Sequence, residues 1–249
     1  MHTVRHINQR IRGIRNIQHI TRAMKLVAAA RLLKAQERLE AARPYARKMA
    51  EVTLDLAALT AWSYNPLLRP HAHERRAVVV IFTGDRGLCG GYHERVVKRA
   101  LQFAEQIGSK QEVRLYVVGR QGARVLQREG RSADYVFAES AQGVSFTTAK
   151  ELAGRLIEEY RSERCDSIYL VYAKFYSVLV QRPRVFQLLP IDPDLAKGRT
   201  PEGLFLFEPS RKEVIDGILP RYVESEVFRA FLECEAGELG ARMTAMGNA

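Results

Sequence analysis

Cysteine is scarce. Cys89, Cys165 and Cys234 are odd in number, widely spaced and without a CxxC, which excludes a disulfide framework and a cysteine-based zinc site. They read as reduced thiols of a cytosolic compartment. Long apolar runs are also missing. The longest covers the six residues 77–82, far short of the roughly 20 that a membrane helix needs. The opening Met1-His2-Thr3-Val4-Arg5-His6 lacks the apolar stretch of a secretory signal. A chain neither secreted nor membrane-spanning is expected. With 47% hydrophobic and 27% charged residues over 249 positions, disorder is excluded, and one large domain or a medium domain with long appendages fits.

Acidic residues are nearly absent from one end. The net charge is +11, from 39 basic and 28 acidic residues. Residues 1–48 carry Arg5, Arg10, Arg12, Arg15, Arg22, Lys25, Arg31, Lys34, Arg38, Arg43, Arg47 and Lys48 against only Glu37 and Glu40, a net of +10. The rest is almost neutral. Unless this is simply a solvated helix face, such an arm meets something anionic: nucleic acid, a membrane surface or an acidic protein.

Helix breakers are almost missing from the same region, with Gly13 and Pro44 the exceptions before Pro66. Val4, Ile7, Ile11 and Ile14 form one heptad-phased run, and Ile17, Ile20, Met24 and Val27 a second, shifted in phase. From Ala28 the series Leu32, Ala35, Leu39, Ala42, Ala46, Met49 and Leu56 keeps a four-three rhythm broken only by Thr53. The spacing predicts a coiled-coil helix over 1–65, a rod on the order of 90 Å, with a stammer after Ile14 and a kink or local adjustment at Pro44.

Residues 75–195 alternate β-rich and amphipathic stretches. Strands are expected at 77–83, 113–118, 134–138, 167–173 and 178–189, the last split by Pro183, and helices at 92–107, 121–129 and 147–161. That alternation argues a parallel-based α/β sheet. Residues 192–209, with three prolines and two glycines, read as a connector. A capping box, Ser210 to Glu213, opens a helix over 210–249 patterned on Ile215, Leu219, Tyr222, Phe228, Phe231, Leu232, Leu239, Met243 and Met246. Its net charge of −2 suits a basic mate. The inferred fold is α/β: a long antiparallel coiled coil of the terminal helices with an inserted Rossmann-like α/β domain. Gly237, Gly240 and Gly247 are expected to fray the end of the last helix.

The turn Gly84-Asp85-Arg86-Gly87-Leu88-Cys89-Gly90-Gly91 follows the first strand, where such sheets cradle phosphates. It contains neither GxxxxGK[ST] nor GxGxxG, and Asp85 disfavours a phosphate. Cys89 with His93 lacks a third orienting group and reads as an inert thiol. His71 and His73 have no carboxylate at ligand spacing, and His93-Glu94 lacks the second histidine of HExxH. Tyr169, Tyr172, Phe175 and Tyr176 read as core rather than a stacking platform. No catalytic, cofactor-binding or metal residue is expected.

The run Ile11-Arg12-Gly13-Ile14-Arg15-Asn16-Ile17-Gln18-His19-Ile20-Thr21-Arg22-Ala23-Met24-Lys25-Leu26-Val27-Ala28-Ala29, the turn from Asp85 to Gly91, Leu219-Pro220-Arg221-Tyr222 and the stretch from Ala241 to Met246 resemble the gamma subunit of bacterial F-type ATP synthase. The resemblance spans nearly the whole chain in order. It implies a non-catalytic rotor shaft inside the hexamer of alpha and beta subunits. The α/β domain would rest on the membrane ring of c subunits beside epsilon, at the cytoplasmic face of the bacterial membrane as a peripheral protein. It further implies that Met24 and Lys25 face acidic loops of the beta subunits, and that Glu238, Arg242, Asp85 and Arg86 belong to the coupling surfaces. Lys25 would smooth rotation, since a strong desolvated ion pair would trap one angle.

Two departures from the family stand out. Its last helix continues about thirty to forty residues, roughly 45–60 Å, beyond the point corresponding to Ala249. The cysteine pair of plant chloroplast members is missing, so light-linked thiol control is not expected. The rival from another class is a basic coiled-coil nucleic-acid-binding protein, which would bind with a steep salt dependence. Against it, basic and apolar positions are interleaved here, whereas zipper proteins keep them apart.

Overall fold

The computed structural model describes residues 4–58, 65–138, 143–191 and 206–249. Helix α1, Val4–Ala58, is followed by β1 (Arg76–Phe82), α2 (Tyr92–Gly108), β2 (Glu112–Val118), α3 (Arg120–Arg128), β3 (Tyr135–Phe137), α4 (Phe146–Arg161), β4 (Ser167–Phe175), β5 (Gln181–Leu189) and α5 (Arg211–Asn248). The expected end of the first helix at 59–64 and most of the connector at 192–209 lie outside the described residues.

The sheet order is β3-β2-β1-β4-β5, with β1 at its centre. Six consecutive residues of β1, 77–82, are fully buried, as expected of a strand covered on both faces. The first four strands are parallel and β5 is antiparallel to β4, so the sheet is mixed. Pro183 does not split β5; it pairs opposite Ala173 within a continuous ladder. An edge strand tolerates this because the missing N–H has no second neighbour to serve.

Helix α1 runs unbroken through Pro44, which lies on the exposed side, so the carbonyl it leaves unpaired faces water. Its buried seam is the four-three series: Ala28, Leu32, Ala35, Leu39, Ala46 and Leu56. Small alanines between leucines let the helices approach closely. Thr53 is also buried in this seam, and its hydroxyl has no hydrogen-bond partner among the described residues. The two earlier apolar runs do not form a seam within this chain. Ile7, Ile11, Ile14, Ile17, Ile20 and Val27 are exposed, and Met24 is half-buried. The two helices run in antiparallel register, with Arg38 paired to Glu235 and Gly247 beside Lys25.

Helix α5 is buried around its circumference. At about 100° per residue, Leu232, Ala236 and Leu239 share one side and pack with Leu32, Ala35 and Leu39 of α1. Val223, Val227, Ala230, Phe231 and Cys234 share the opposite side and join the core of the α/β domain. Phe231 meets Phe82 edge-on, with centroids 5.1 Å apart. The terminal helices therefore form an antiparallel pair, and the α/β domain is seated on α5. The last turns do not fray: α5 is helical to Asn248. Gly237 and Gly240 are there for close approach. A Cβ on Gly237 would sit 3.0 Å from the Tyr92 ring, and one on Gly240 3.3 Å from the Val178 carbonyl oxygen.

Candidate functional site

The glycine-rich turn 83–91 brings β1 onto α2, α3 and α5 at once. Thr83 anchors it, its Oγ1 donating to the Val118 carbonyl at 2.6 Å and accepting from the Gly122 N–H at 3.0 Å. Asp85 sits at the start of α3, where Oδ1 accepts from the Arg120 N–H at 2.8 Å and Oδ2 pairs with the Arg120 guanidinium at 3.2 Å. A carboxylate there satisfies an orphan N–H and favours the positive end of the helix dipole.

Arg242 of α5 holds the same turn. Its Nη2 donates to the carbonyls of Arg86 at 3.3 Å and Gly87 at 3.2 Å, and its Nε donates to Gly87 at 3.3 Å. Glu238, one turn earlier, forms an ion pair with Arg242. Both residues are 8% exposed, so this is a buried ion pair whose guanidinium also donates to backbone carbonyls. The backbone must come close to make room for it: a Cβ on Gly84 would fall 1.6 Å from Glu238 Oε2. The side chain of Arg86 points outward while its carbonyl is used twice, by Arg242 and by His93 Nε2 at 3.0 Å. That contact places the His93 proton on Nε2. Its Nδ1 is buried without a hydrogen-bond partner among the described residues, and burial pushes the imidazole pKa down, so the ring is neutral.

Cys89 gains nothing from this neighbourhood. Burial, with the Glu238 carboxylate next in weight, pushes its thiol up to about 11, the opposite of an activated nucleophile. Leu88 beside it is exposed at a φ of 63°, an uncommon conformation for a branched residue. Among the described residues no group of three or more His, Cys, Asp or Glu could hold a metal ion. His71 does have a carboxylate, contrary to the reading of its local sequence. Asp166, from the start of the distant β4, lies 3.0 Å from its Nδ1. Although burial pushes the other way, the Arg76 N–H, His71 and the Arg75 N–H hold the Asp166 carboxyl below its ordinary value. With His71 stacked on Tyr160, this cluster fastens the segment leading into β1. Tyr172 and Phe175 are core as expected, whereas Tyr176 is 57% exposed near the tip of the β4–β5 hairpin.

Of the six residues singled out in the sequence, Asp85, Arg86, Glu238 and Arg242 come together at this junction. Met24 and Lys25 stand apart on α1. A Cβ on Gly247 would lie 3.2 Å from Lys25 Nζ, and Gly247 is about 7 Å along α5 from Arg242. Around them, Arg10, Arg12, Arg15 and Arg22 are exposed among exposed isoleucines and form no ion pair with a described residue. Sequence reasoning missed Tyr92 and Glu233, which also fasten α5. The Tyr92 hydroxyl donates to the Cys234 carbonyl at 3.1 Å, and Glu233 accepts from the Phe175 N–H at 2.6 Å. The signal for Glu233 was present: a carboxylate inside the apolar stretch from Ala230 to Cys234.

The fold defines a class: an antiparallel pair of long helices with an α/β domain seated on one of them and fastened to it at a glycine turn. A family model described as ATP synthase matches residues 3–249. The chain is 41% identical to the ATP synthase gamma chain of Heliobacterium modesticaldum, over 99% of this chain and 86% of that one. It is 43% identical to that of Desulfitobacterium hafniense, over 100% and 86%. A solved structure of the central stalk and c-ring of the Tetrahymena thermophila mitochondrial ATP synthase holds a chain that matches with a TM-score of 0.67 and 26% identity, over 92% of this chain and 98% of that one. The chain belongs to the ATP synthase gamma chain family. Nothing in these similarities supports the nucleic-acid reading. No helix among the described residues is long and apolar enough to cross a membrane.

Proposed function

We propose that this chain is the central rotor shaft of an F-type ATP synthase, a non-catalytic subunit that couples ion flow through the membrane ring to ATP synthesis or hydrolysis in the alpha and beta hexamer. The observation that carries the reading is the whole-length relation to ATP synthase gamma chains, 41% identity over 99% of this chain. The antiparallel helix pair with an α/β domain seated on one of its members supports it. Its division into a first helix at 1–65, a Rossmann-like domain at 75–195 and a last helix at 210–249 is part of this reading. The partners are the alpha and beta subunits, epsilon and the c-subunit ring. The place is the cytoplasmic face of the bacterial membrane, held there through the ring.

In this role the basic, isoleucine-studded start of α1 faces the hexamer. Lys25 and its arginine neighbours attract acidic loops through solvated charges, which keeps the attraction weak and screened by salt. Met24 and Lys25 contact those loops directly. Glu238 and Arg242 act from the other side, by fixing the Arg86 and Gly87 carbonyls so that the turn with Asp85 and Arg86 holds one position relative to α5.

The test is reconstitution. Mixed with alpha and beta subunits, the chain is expected to enter a complex in one copy on size exclusion and to change its ATP hydrolysis. In ring-containing vesicles, Lys25→Glu is expected to lower ATP-driven ion pumping more than Lys25→Ala does. Absence of a complex, together with salt-sensitive binding to DNA or RNA, overturns the reading; unchanged pumping in both variants removes Lys25 from it.

A further inference from the structure

Torque that passes between a membrane-bound foot and a shaft has to cross the boundary between the α/β domain and α5. Much of that boundary is apolar, and apolar contact resists separation well but opposes sliding only through shape. Directional contacts along α5 supply what the apolar surface does not. Tyr92, fully buried, lays its ring on Gly237 at a distance that leaves no room for a Cβ and donates its hydroxyl proton to the Cys234 carbonyl oxygen. Glu233, 5% exposed, accepts from the Phe175 N–H at the end of β4. Glu238 and Arg242 fit under Gly84 and onto the Arg86 and Gly87 carbonyls.

At about 100° per residue, positions 233, 237, 234, 238 and 242 are spread over roughly half the circumference of α5 and about 13 Å of its length. The other half, with Leu232, Glu235, Ala236 and Leu239, faces α1. The grips on the domain side come from different elements: the start of α2, the end of β4 and the turn after β1. A helix gripped across half its surface from separate elements can neither spin about its own axis nor slip lengthwise without breaking a buried hydrogen bond.

We infer that Tyr92 and Glu233 are positioning residues that key α5 into the α/β domain and so carry torque between the foot and the shaft, an inference that rests on the rotor reading above. They act through the rigidity of the seat.

The experiment uses the complete complex in vesicles, with ATP hydrolysis and ATP-driven ion uptake measured on the same sample. Tyr92→Phe combined with Glu233→Met removes both hydrogen bonds at nearly constant side-chain volume. Ion uptake per ATP hydrolysed is expected to fall about threefold or more while hydrolysis persists, since two buried, directional contacts are lost. Glu233→Gln with Tyr92 retained, whose amide oxygen still accepts from Phe175 so that both hydrogen bonds remain, is expected to keep the ratio near that of the unsubstituted chain. A role confined to folding would instead reduce the amount of assembled complex and scale both activities together; an unchanged ratio overturns the inference. If the double variant does not assemble, Tyr92→Phe alone decides by the same ratio. Failure of the rotor reading itself shows separately, because the unsubstituted chain then neither enters the complex nor supports uptake.

Discussion

Helix α1 buries one stripe, beginning at Ala28, and leaves its first turns with isoleucines and arginines in water, while α5 buries residues on every side. Both carry heptad-like sequence patterns, so the pattern does not by itself say how much of a helix is covered. Position in the tertiary structure does: α5 lies between α1 and the α/β domain, and α1 touches its mate only over its second half. The α5 helix is held from two sides, and α1 from one.

The largest effect should come from the doubly covered helix. Phe231→Ala removes a ring packed against Phe82 and Phe137 and should cost about 3–5 kcal/mol, lowering the melting temperature by roughly 10 °C. Leu39→Ala, buried in the smaller cluster of α1 and α5 with Phe175, should cost about 2–3 kcal/mol because the two helices can close part of the gap. A Phe231 cost no greater than that of Leu39 in thermal unfolding would erase the distinction between the helices.

A third test uses pH. Burial raises the Glu233 carboxyl above its ordinary value, against the opposing influence of its hydrogen bond from Phe175 and nearby basic groups. The native state therefore holds this proton more tightly than the unfolded chain, whose glutamate titrates near about 4.3. Stability from this group is fully present below that value and is lost as pH rises through the raised native value. Glu233→Gln keeps the acceptor and removes the titration. Urea titrations should find its stability rising relative to the parent chain between acid and neutral pH, and a flat difference would show that Glu233 is ionised without cost.

Two smaller effects sharpen the same comparison. The Arg38–Glu235 bridge is about half exposed on its arginine side, so Arg38→Ala should cost less than about 1 kcal/mol by denaturant melting, and that cost should shrink in salt. Ile14, 63% exposed, should change stability by no more than about 0.5 kcal/mol on substitution by alanine. A larger loss for the isolated chain would mean that the first turns of α1 are covered after all.

Much of the α/β domain was legible in local pattern. The run at 77–82 is fully buried, the strands at 113–118 and 167–173 differ from the observed ones by a residue or two, and Ser210 does accept from the Glu213 N–H. Short-range chemistry decides such features. The misreadings have a shared cause. Pro183 was harmless because β5 lies at an edge, Gly237 and Gly240 stabilise packing because Tyr92 and Val178 press against them, and His71 has a carboxylate because β4 begins beside it. Each depends on a residue far away in the chain.

The same division runs through the candidate site. The sequence by itself determined that the turn after β1 would be tight, that one end of the chain would be basic, and that two heptad-patterned helices would pair, since glycine freedom, net charge and apolar periodicity are properties of neighbouring residues. Only the tertiary structure decided that Glu238 and Arg242 would face inward onto that turn, that Tyr92 and Glu233 would grip α5, and that the isoleucines before Ala28 would stay exposed. Those outcomes depend on which surfaces meet in space, and helix register together with the seating of α5 on the sheet set that.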